Sequence, residues 1–390
     1  MNVVGLFAGI GGIEYGLHEN GHNTVHLCEI MPEAQSVLRN HFNDAQFSQD
    51  VCSMQELPQS DMLTAGFPCQ NLSIAGDKKG LAGEKSSLLF QIFRLLDNSA
   101  YLPDYILIEN VANLISLNKG EALSLIIQKV REHGYDWAYR LVDPRSFGIP
   151  QRRPRFIFLA SRISHPKYIL FPRGENFEAE IDDKPRLDGE NLSDAYGFYW
   201  TEGKIGIGWA NNSIPPLKCG STLGLPSSPA IWDVRNNFFG TPTINDAERL
   251  QGFPENWTEF LNGEFKDNKR WKLIGNAVNT RVSEWVARRI DEYVPYEIPQ
   301  DRILRASKSK WHKAGFNDGD RVFGIKASFY PNDIFYVPIL TFINHPLIPL
   351  SLKATLGFRK RVMESTLIKY PQRFKDSLNT YLSNQYDYAD

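Results

Sequence analysis

Cysteine, net charge and long apolar runs are what this 390-residue chain has least of. Its four cysteines, Cys28, Cys52, Cys69 and Cys219, include no CxxC pair. The expectation is no zinc site, no bound metal, no disulfide framework and a reducing, cytoplasmic setting. No run approaches the ~18 apolar residues that a spanning helix needs, so no membrane segment is expected. A strand-like stretch begins within a few residues of Met1, which leaves no room for a secretory leader. Internal repeats and low-complexity tracts are also missing. Lys+Arg and Asp+Glu nearly cancel at 43 and 45, for a net charge of -2. The average hides an asymmetry: residues 301–390 hold 14 Lys+Arg against 8 Asp+Glu, and residues 1–300 hold 29 against 37. A basic C-terminal stretch suits a nucleic-acid-contacting arm.

What is present is 42% hydrophobic residues, enough for two or three packed domains. Short apolar runs at 2–7, 24–29, 62–65, 105–109, 137–142 and 156–160 read as strands. Helical periodicity fills the intervals, from the glycine turn to about residue 20 and over 32–41, 87–96 and 120–133. Strands alternating with helices imply an α/β, doubly wound, mostly parallel sheet. The rhythm stops near Ser161. Residues 162–235 are rich in Gly, Pro, Asn, Ser and aromatics and read as a smaller, irregular β-rich domain. Helix-and-loop texture returns at 243–256 and 271–293, and Pro295 and Pro299 bracket a linker. The expected organisation is one domain from 1–161 and 236–295, a second at 162–235, and a C-terminal extension over 296–390.

Two groups of residues carry candidate chemistry. The first strand runs into Gly9, Gly11, Gly12 and Gly16, a turn that lets backbone approach a ligand at a helix N-terminus. A dinucleotide GxGxxG pattern would need glycine at 14; Glu14 stands there and counts against a nicotinamide or flavin enzyme. Glu29, ending the second strand, is placed to accept ribose hydroxyls, and Asp50 to accept from an adenine amino group. By themselves these residues are equally well explained as a tight turn with solvated acids. In the second group, Gly66-Phe67-Pro68-Cys69-Gln70 follows a strand, so Cys69 falls at the C-terminal edge where open α/β sheets hold their sites. A lone cysteine is more often a small buried hydrophobe. Here Pro68 stiffens the approach, and Lys78 and Lys79 among three glycines favour a thiolate. Glu109-Asn110-Val111 reaches the same edge, where a carboxylic acid can give a proton to a ring nitrogen. Gln151-Arg152-Arg153-Pro154-Arg155 opens a further strand, whose alternation would turn Arg153 and Arg155 to one face.

In this order the residues resemble the motifs of the cytosine-5 DNA methyltransferases. The nucleotide motif is similar to Leu6-Phe7-Ala8-Gly9-Ile10-Gly11-Gly12, the nucleophile motif to Phe67-Pro68-Cys69-Gln70, the acid motif to Glu109-Asn110-Val111 and the arginine motif to Gln151 through Arg155. After the variable domain come Arg249-Leu250-Gln251-Gly252-Phe253-Pro254 and Gly275-Asn276-Ala277-Val278. The resemblance covers about residues 1–160 and 236–290. It implies a Rossmann-like domain that takes S-adenosylmethionine and releases S-adenosylhomocysteine, with cofactor contacts from Phe7, Ala8, Gly9, Gly11, Gly12, Glu29, Asp50, Pro68 and Asn276. It implies catalysis by Cys69, Glu109, Arg153 and Arg155 on a cytosine flipped out of double-stranded DNA, with Gln70 and Ser73 near the DNA. Residues 162–235 would then be a target-recognition domain, with Thr222 and Leu223 beside the target base. A cognate restriction endonuclease is the implied functional partner, and the enzyme is expected to act as a monomer. Gly5 stands where the family usually has Asp, Ile30 where an aromatic is usual, and Pro154 where a charged residue is commoner.

Beyond the last motif, Arg302, Arg305, Lys308, Lys310 and Lys313 surround Trp311. They read as phosphate contacts from a segment folded onto the core. Two rival functions are a tRNA methyltransferase on the same fold and a DNA-binding module without catalysis. The first carries Cys-Phe-Thr and a second proline before its cysteine, both absent here; the second predicts loss of Cys69 or Glu109.

Overall fold

Among the described residues up to 160, the expected apolar runs form strands and the amphipathic stretches between them form helices. The computed structural model describes residues 1–68, 88–176, 178–183, 193–218, 228–259, 267–305, 310–332 and 335–386. Cys69, Gln70, Ser73, Thr222, Leu223 and Lys308 therefore lie outside the described residues. In chain order come β1 (Asn2–Leu6), α1 (Gly12–His18), β2 (Asn23–Cys28), α2 (Pro32–His41), β3 (Gln46–Ser48), β4 (Met62–Ala65), α3 (Leu88–Asn98), β5 (Tyr105–Val111), α4 (Glu121–Glu132), β6 (Asp136–Val142), β7 (Arg155–Ser161) and α5 (Pro166–Leu170). Next are β8 (Ala195–Phe198), β9 (Ala210–Asn211), β10 (Ala230–Asp233), β11 (Phe238–Thr241), α6 (Ile244–Leu250), α7 (Asp267–Asn276) and α8 (Thr280–Asp291). The chain ends with β12 (Ile303–Arg305), β13 (Gly315–Asp318), β14 (Arg321–Ile325), α9 (Ile339–Phe342), β15 (Ile348–Pro349), α10 (Leu352–Met363) and α11 (Gln372–Tyr386).

The chain divides into two units. The first holds Met1–Phe147, Pro154–Glu180 and Val278–Ile334. Its sheet has the order β12-β14-β13-β6-β7-β5-β4-β1-β2-β3. Strands β1 to β5 pair in parallel, as the strand–helix alternation implied. β7 then inserts antiparallel between β5 and β6. Both faces are covered. Ile106 and Ile108 of β5 meet Ile92 and Phe93 of α3 and Leu123 and Ile126 of α4, while Tyr105 and Leu107 meet Leu17 of α1 and Trp285 and Val286 of α8. That period of two is what lets one strand serve two cores.

The second unit holds Gly148–Arg153, Ile181–Ala277 and Phe335–Asp390. A five-stranded antiparallel sheet, β15-β11-β10-β8-β9, packs an aromatic core. Phe374 of α11 touches the rings of Phe198, Trp209, Trp232 and Phe239, and Phe358 of α10 stacks on Phe198.

The C-terminal segment is thus not one extension, as its sequence suggested, but two parts with different hosts. Residues 303–325 add an antiparallel edge to the first sheet through β13 and β6. Residues 335–386 supply half of the second unit's core. The sequence gives no period change between them, because both parts bury aromatics.

The expected phosphate contact at Arg302 is corrected by its burial. Only 3% of Arg302 is exposed, and its guanidinium lies 3.6 Å from Glu175. Glu175 also holds Arg140 through two hydrogen bonds of 2.8 and 2.7 Å. Trp311 is likewise an anchor: its indole N–H reaches the carbonyl of Gly120 and Oγ of Ser124 at 3.1 Å each. Arg305 remains exposed. Glu175→Ala leaves two buried guanidiniums without their shared anion and is expected to cost about 3–5 kcal/mol, read by urea unfolding. A loss under about 1 kcal/mol would show that the cluster is not what pins this segment.

Candidate active site

The turn after β1 is shaped by backbone that few side chains tolerate. Phe7, Gly9 and Gly11 have φ of 56°, 58° and 83°, left-handed values that suit glycine and strain phenylalanine. Ala8 N–H is tied to the Cys28 carbonyl, so the turn stays beside the end of β2. There Glu29 accepts from Gly9 N–H through Oε2 and from Met31 N–H through Oε1, at 2.8 and 2.9 Å. Burial raises the Glu29 carboxyl above its usual range, and the N–H donors of Met31, Gly9 and Ile30 pull it back. Each Glu29 oxygen keeps a second lone pair for an outside hydroxyl, and Ile30 beside it is exposed. Asp50 accepts from Cys52 N–H at 2.9 Å. A hydroxyl-bearing ligand with an apolar ring fits this set.

Gly12 and Gly16 have a different cause. A Cβ at Gly12 would strike the Val278 carbonyl, and one at Gly16 the Thr280 carbonyl and Ser283 Oγ. They let α8 close against α1, where Ser283 Oγ donates to the Gly12 carbonyl at 3.0 Å.

Gly5 is explained by Glu14. A Cβ at Gly5 would collide with the Glu14 carboxylate, which fills the space of the usual Asp. Glu14 is buried; Thr64 Oγ1 donates to its Oε1 at 2.6 Å, and its Oε2 has no hydrogen-bond partner among the described residues. Burial pushes its carboxyl from 4.5 up to about 7. Because the folded form holds the proton more tightly, this group's contribution is full below 4.5 and is lost as pH rises through 7. Glu14→Gln should remove that loss, making the variant gain on wild type by up to about 3 kcal/mol between pH 5 and 8. Parallel unfolding curves at pH 5, 6, 7 and 8 would contradict it.

At the C-terminal end of β5, Glu109 is buried and faces Arg155, whose Nε lies 3.2 Å from its Oε1. Oε2 of Glu109 lies 4.0 Å from where a Cβ of Gly66 would stand, which places the carboxyl beside the segment leading to Cys69. Asn110 Nδ2 donates to the Phe67 carbonyl at 2.9 Å, and Phe67 meets Phe7 edge to face. Pro68 is exposed beyond it. The acid, the approach to the cysteine and the glycine turn are thus brought together within the first unit.

Arg153 does not share Arg155's setting. β7 begins at Arg155, so Arg153 precedes the strand and the expected alternation does not reach it. Its guanidinium donates to the carbonyls of Leu217, Gly275 and Ala277 at 2.9–3.0 Å. Gln151 donates to the Leu250 carbonyl, and Gln251 to that of Ile274. Three stretches far apart in sequence, at 151–153, 250–251 and 274–277, are therefore bound to one another in the second unit. Asn276 is exposed there at the end of α7.

Residues 1–195 match the family described as C-5 cytosine-specific DNA methylase. The chain is 43% identical to the type II methyltransferase M2.BsuMI of Bacillus subtilis (strain 168), over 97% of each chain. The chain belongs to the C-5 cytosine-specific DNA methylases. It is a DNA cytosine-5 methyltransferase, of a family that uses S-adenosylmethionine. Another relative, the type II methyltransferase M.Bsp6I of Bacillus sp. (strain RFL6), is 28% identical over 74% of this chain and 98% of its own. The fold is similar to that of the S. pombe Dnmt2 methyltransferase, with a TM-score of 0.54 at 20% identity over 75% of this chain and 99% of that one.

Within this methyltransferase, sequence reasoning did not assign roles to Asn110, Gln151 and Gln251. Their positions inside the motifs were the available signal, and only the hydrogen bonds give the reason.

Proposed function

We propose that this methyltransferase modifies carbon 5 of a cytosine flipped out of a specific duplex DNA sequence, through a covalent bond to Cys69. The observation that carries the reading is the Glu109 carboxyl beside Gly66 with Asn110 gripping Phe67, which sets an acid at the approach to the nucleophile. Carbon 5 of cytosine is a weak nucleophile. Addition of the Cys69 thiolate to carbon 6, with Glu109 supporting a proton on N3, makes carbon 5 enamine-like. S-adenosylmethionine, when bound, supplies an electrophilic methyl group. Loss of the carbon 5 proton and departure of Cys69 then restore the aromatic base. Extrusion of the cytosine costs a few kcal/mol of stacking.

Glu29, Asp50, the exposed Ile30 and the backbone of Phe7 to Gly11 are assigned to the cofactor's ribose and adenine, and Pro68 to the neighbourhood of its methyl end. Arg155 orients Glu109. Arg153 positions rather than catalyses: it holds the Gly275–Ala277 backbone, and Asn276 with it. Residues 162–235 are assigned target recognition, and Gln70, Ser73, Thr222 and Leu223 contact with DNA near the target cytosine. The biological role is protection of DNA from a cognate restriction endonuclease in the cytoplasm, by an enzyme acting as a monomer. Transfer of labelled methyl groups to duplex DNA and not to tRNA, with bisulfite sequencing of DNA from an expressing host, tests the reading; labelled tRNA alone would overturn it.

Arg153→Lys is expected to lower the thermal midpoint, because one ammonium cannot reach the three carbonyls that the planar guanidinium serves. Cofactor affinity should fall less than stability. The reverse order, measured by calorimetry with S-adenosylhomocysteine, would make Arg153 a ligand contact.

A further inference from the structure

The second unit carries an exposed patch in which aliphatic tips stand among cations. Ile205 is 77% exposed, Leu367 72% and Ile368 37%. Lys204, Lys369 and Arg373 are exposed beside them in sequence. The two stretches are fastened into one surface by three bonds. Ser365 Oγ donates to the Lys204 carbonyl at 3.0 Å, Tyr370 OH to the Gly203 carbonyl at 2.7 Å, and Arg361 Nε to the Glu202 carbonyl at 2.9 Å. A Cβ at Gly203 would press on Arg361, so glycine is needed for the approach. The nearby acids are engaged elsewhere: Glu202 with Lys218, Glu364 with Lys360 and Asp376 with Gln372. Among the described residues, none of the three cations has a carboxylate partner.

Lone exposed aliphatic side chains are ordinary, whereas a cluster of them rimmed by polar residues marks an interaction surface. The cations fix the partner's charge. We propose that this patch contacts duplex DNA, with Lys204, Lys369 and Arg373 on phosphates and the aliphatic tips against the groove between them. The proposal rests on the DNA methyltransferase reading and adds a contact outside every motif of the sequence. Cations around apolar tips suit a duplex surface, where phosphates flank a groove. It also relocates the phosphate-binding role expected of Arg302, which is buried, to a part of the C-terminal segment with the right exposure.

The test uses the full chain and a random duplex of about 30 base pairs, with affinity measured against salt. Lys204→Ala, Lys369→Ala and Arg373→Ala combined should weaken binding and make the log–log slope shallower by about two to three, at about 0.9 per lost phosphate contact. Ile205→Ser, Leu367→Ser and Ile368→Ser combined should weaken binding with the slope unchanged. Slope and affinity equal to wild type in both variants would overturn the proposal. So would a serine variant that binds DNA normally but loses self-association in sedimentation, or loses adhesion to anionic vesicles. Methyl transfer by the wild type is measured alongside: its absence from every DNA rejects the functional reading, whereas transfer with unaltered slopes rejects the patch alone.

Discussion

Cys69→Ser is expected to lower methyl transfer to duplex DNA by more than about 10⁴-fold, because the variant loses covalent activation itself and not only proton transfer. A serine hydroxyl is scarcely ionised near neutral pH, whereas a cysteine thiol near its usual value supplies a few per cent of thiolate. Binding of S-adenosylhomocysteine should stay within a few-fold of wild type, since the glycine turn and Glu29 are assembled without the cysteine. The covalent step has its own readout. With 5-fluorocytosine at the target position, wild type should stay attached to DNA, because fluorine cannot leave carbon 5 as the proton does. Cys69→Ser should form no such adduct. A wild-type enzyme that methylates the site yet traps nothing would end the covalent reading. Cys28 and Cys52 serve as the comparison. Burial pushes the Cys28 thiol up to about 12 and raises the Cys52 thiol, which disfavours the thiolate at both.

The first unit was readable because its strands declare themselves twice, by apolar content and by what ends them. Pro32 opens α2 at its first turn and the helix closes at His41, where the periodicity stops. β4 matches the expected run of four residues. β3 was missed: Gln46–Ser48 is a three-residue edge strand with little apolar pattern to notice. The antiparallel entry of β7 was also hidden, since strand direction depends on connection and not on composition. In the site, the acid was legible from Glu109-Asn110-Val111, and its setting was not. The bond from Asn110 to Phe67 and the pairing of Glu109 with Arg155 join residues about 45 positions apart, which no local pattern encodes. Arg153 shows the opposite failure. Its motif is conspicuous, but the strand alternation expected of it begins only at Arg155. The C-terminal segment is hard to read for a related reason: basic residues suggest a surface, yet Arg302 is drawn inside by Glu175. Charge patterns in sequence show which ions exist, and burial decides which of them face a partner.

Glu109→Gln should reduce the single-turnover rate by about 10² to 10⁴, the usual worth of a positioned general acid. The amide keeps the volume and can still meet Arg155, whose side chain is partly accessible, so the fold should survive. What disappears is a proton that can be lent to N3. Without it, thiolate addition at carbon 6 leaves charge on the ring unsupported, and the defect must appear before methyl transfer. The distinguishing measurement is therefore exchange of the carbon 5 hydrogen with solvent in the absence of cofactor, which requires addition of Cys69 at carbon 6, protonation of carbon 5 from solvent, loss of its original proton and elimination of Cys69. Glu109→Gln should slow that exchange in parallel with methylation. Asn110→Ala should act differently, because its partner is the Phe67 carbonyl and not the base: it loosens the approach to Cys69 and should raise the substrate concentration needed while leaving the pH profile of the reaction in place. A Glu109→Gln enzyme with normal exchange and slow methylation would move the residue from the addition step to the transfer step. Rates equal to wild type in both assays would remove it from the chemistry.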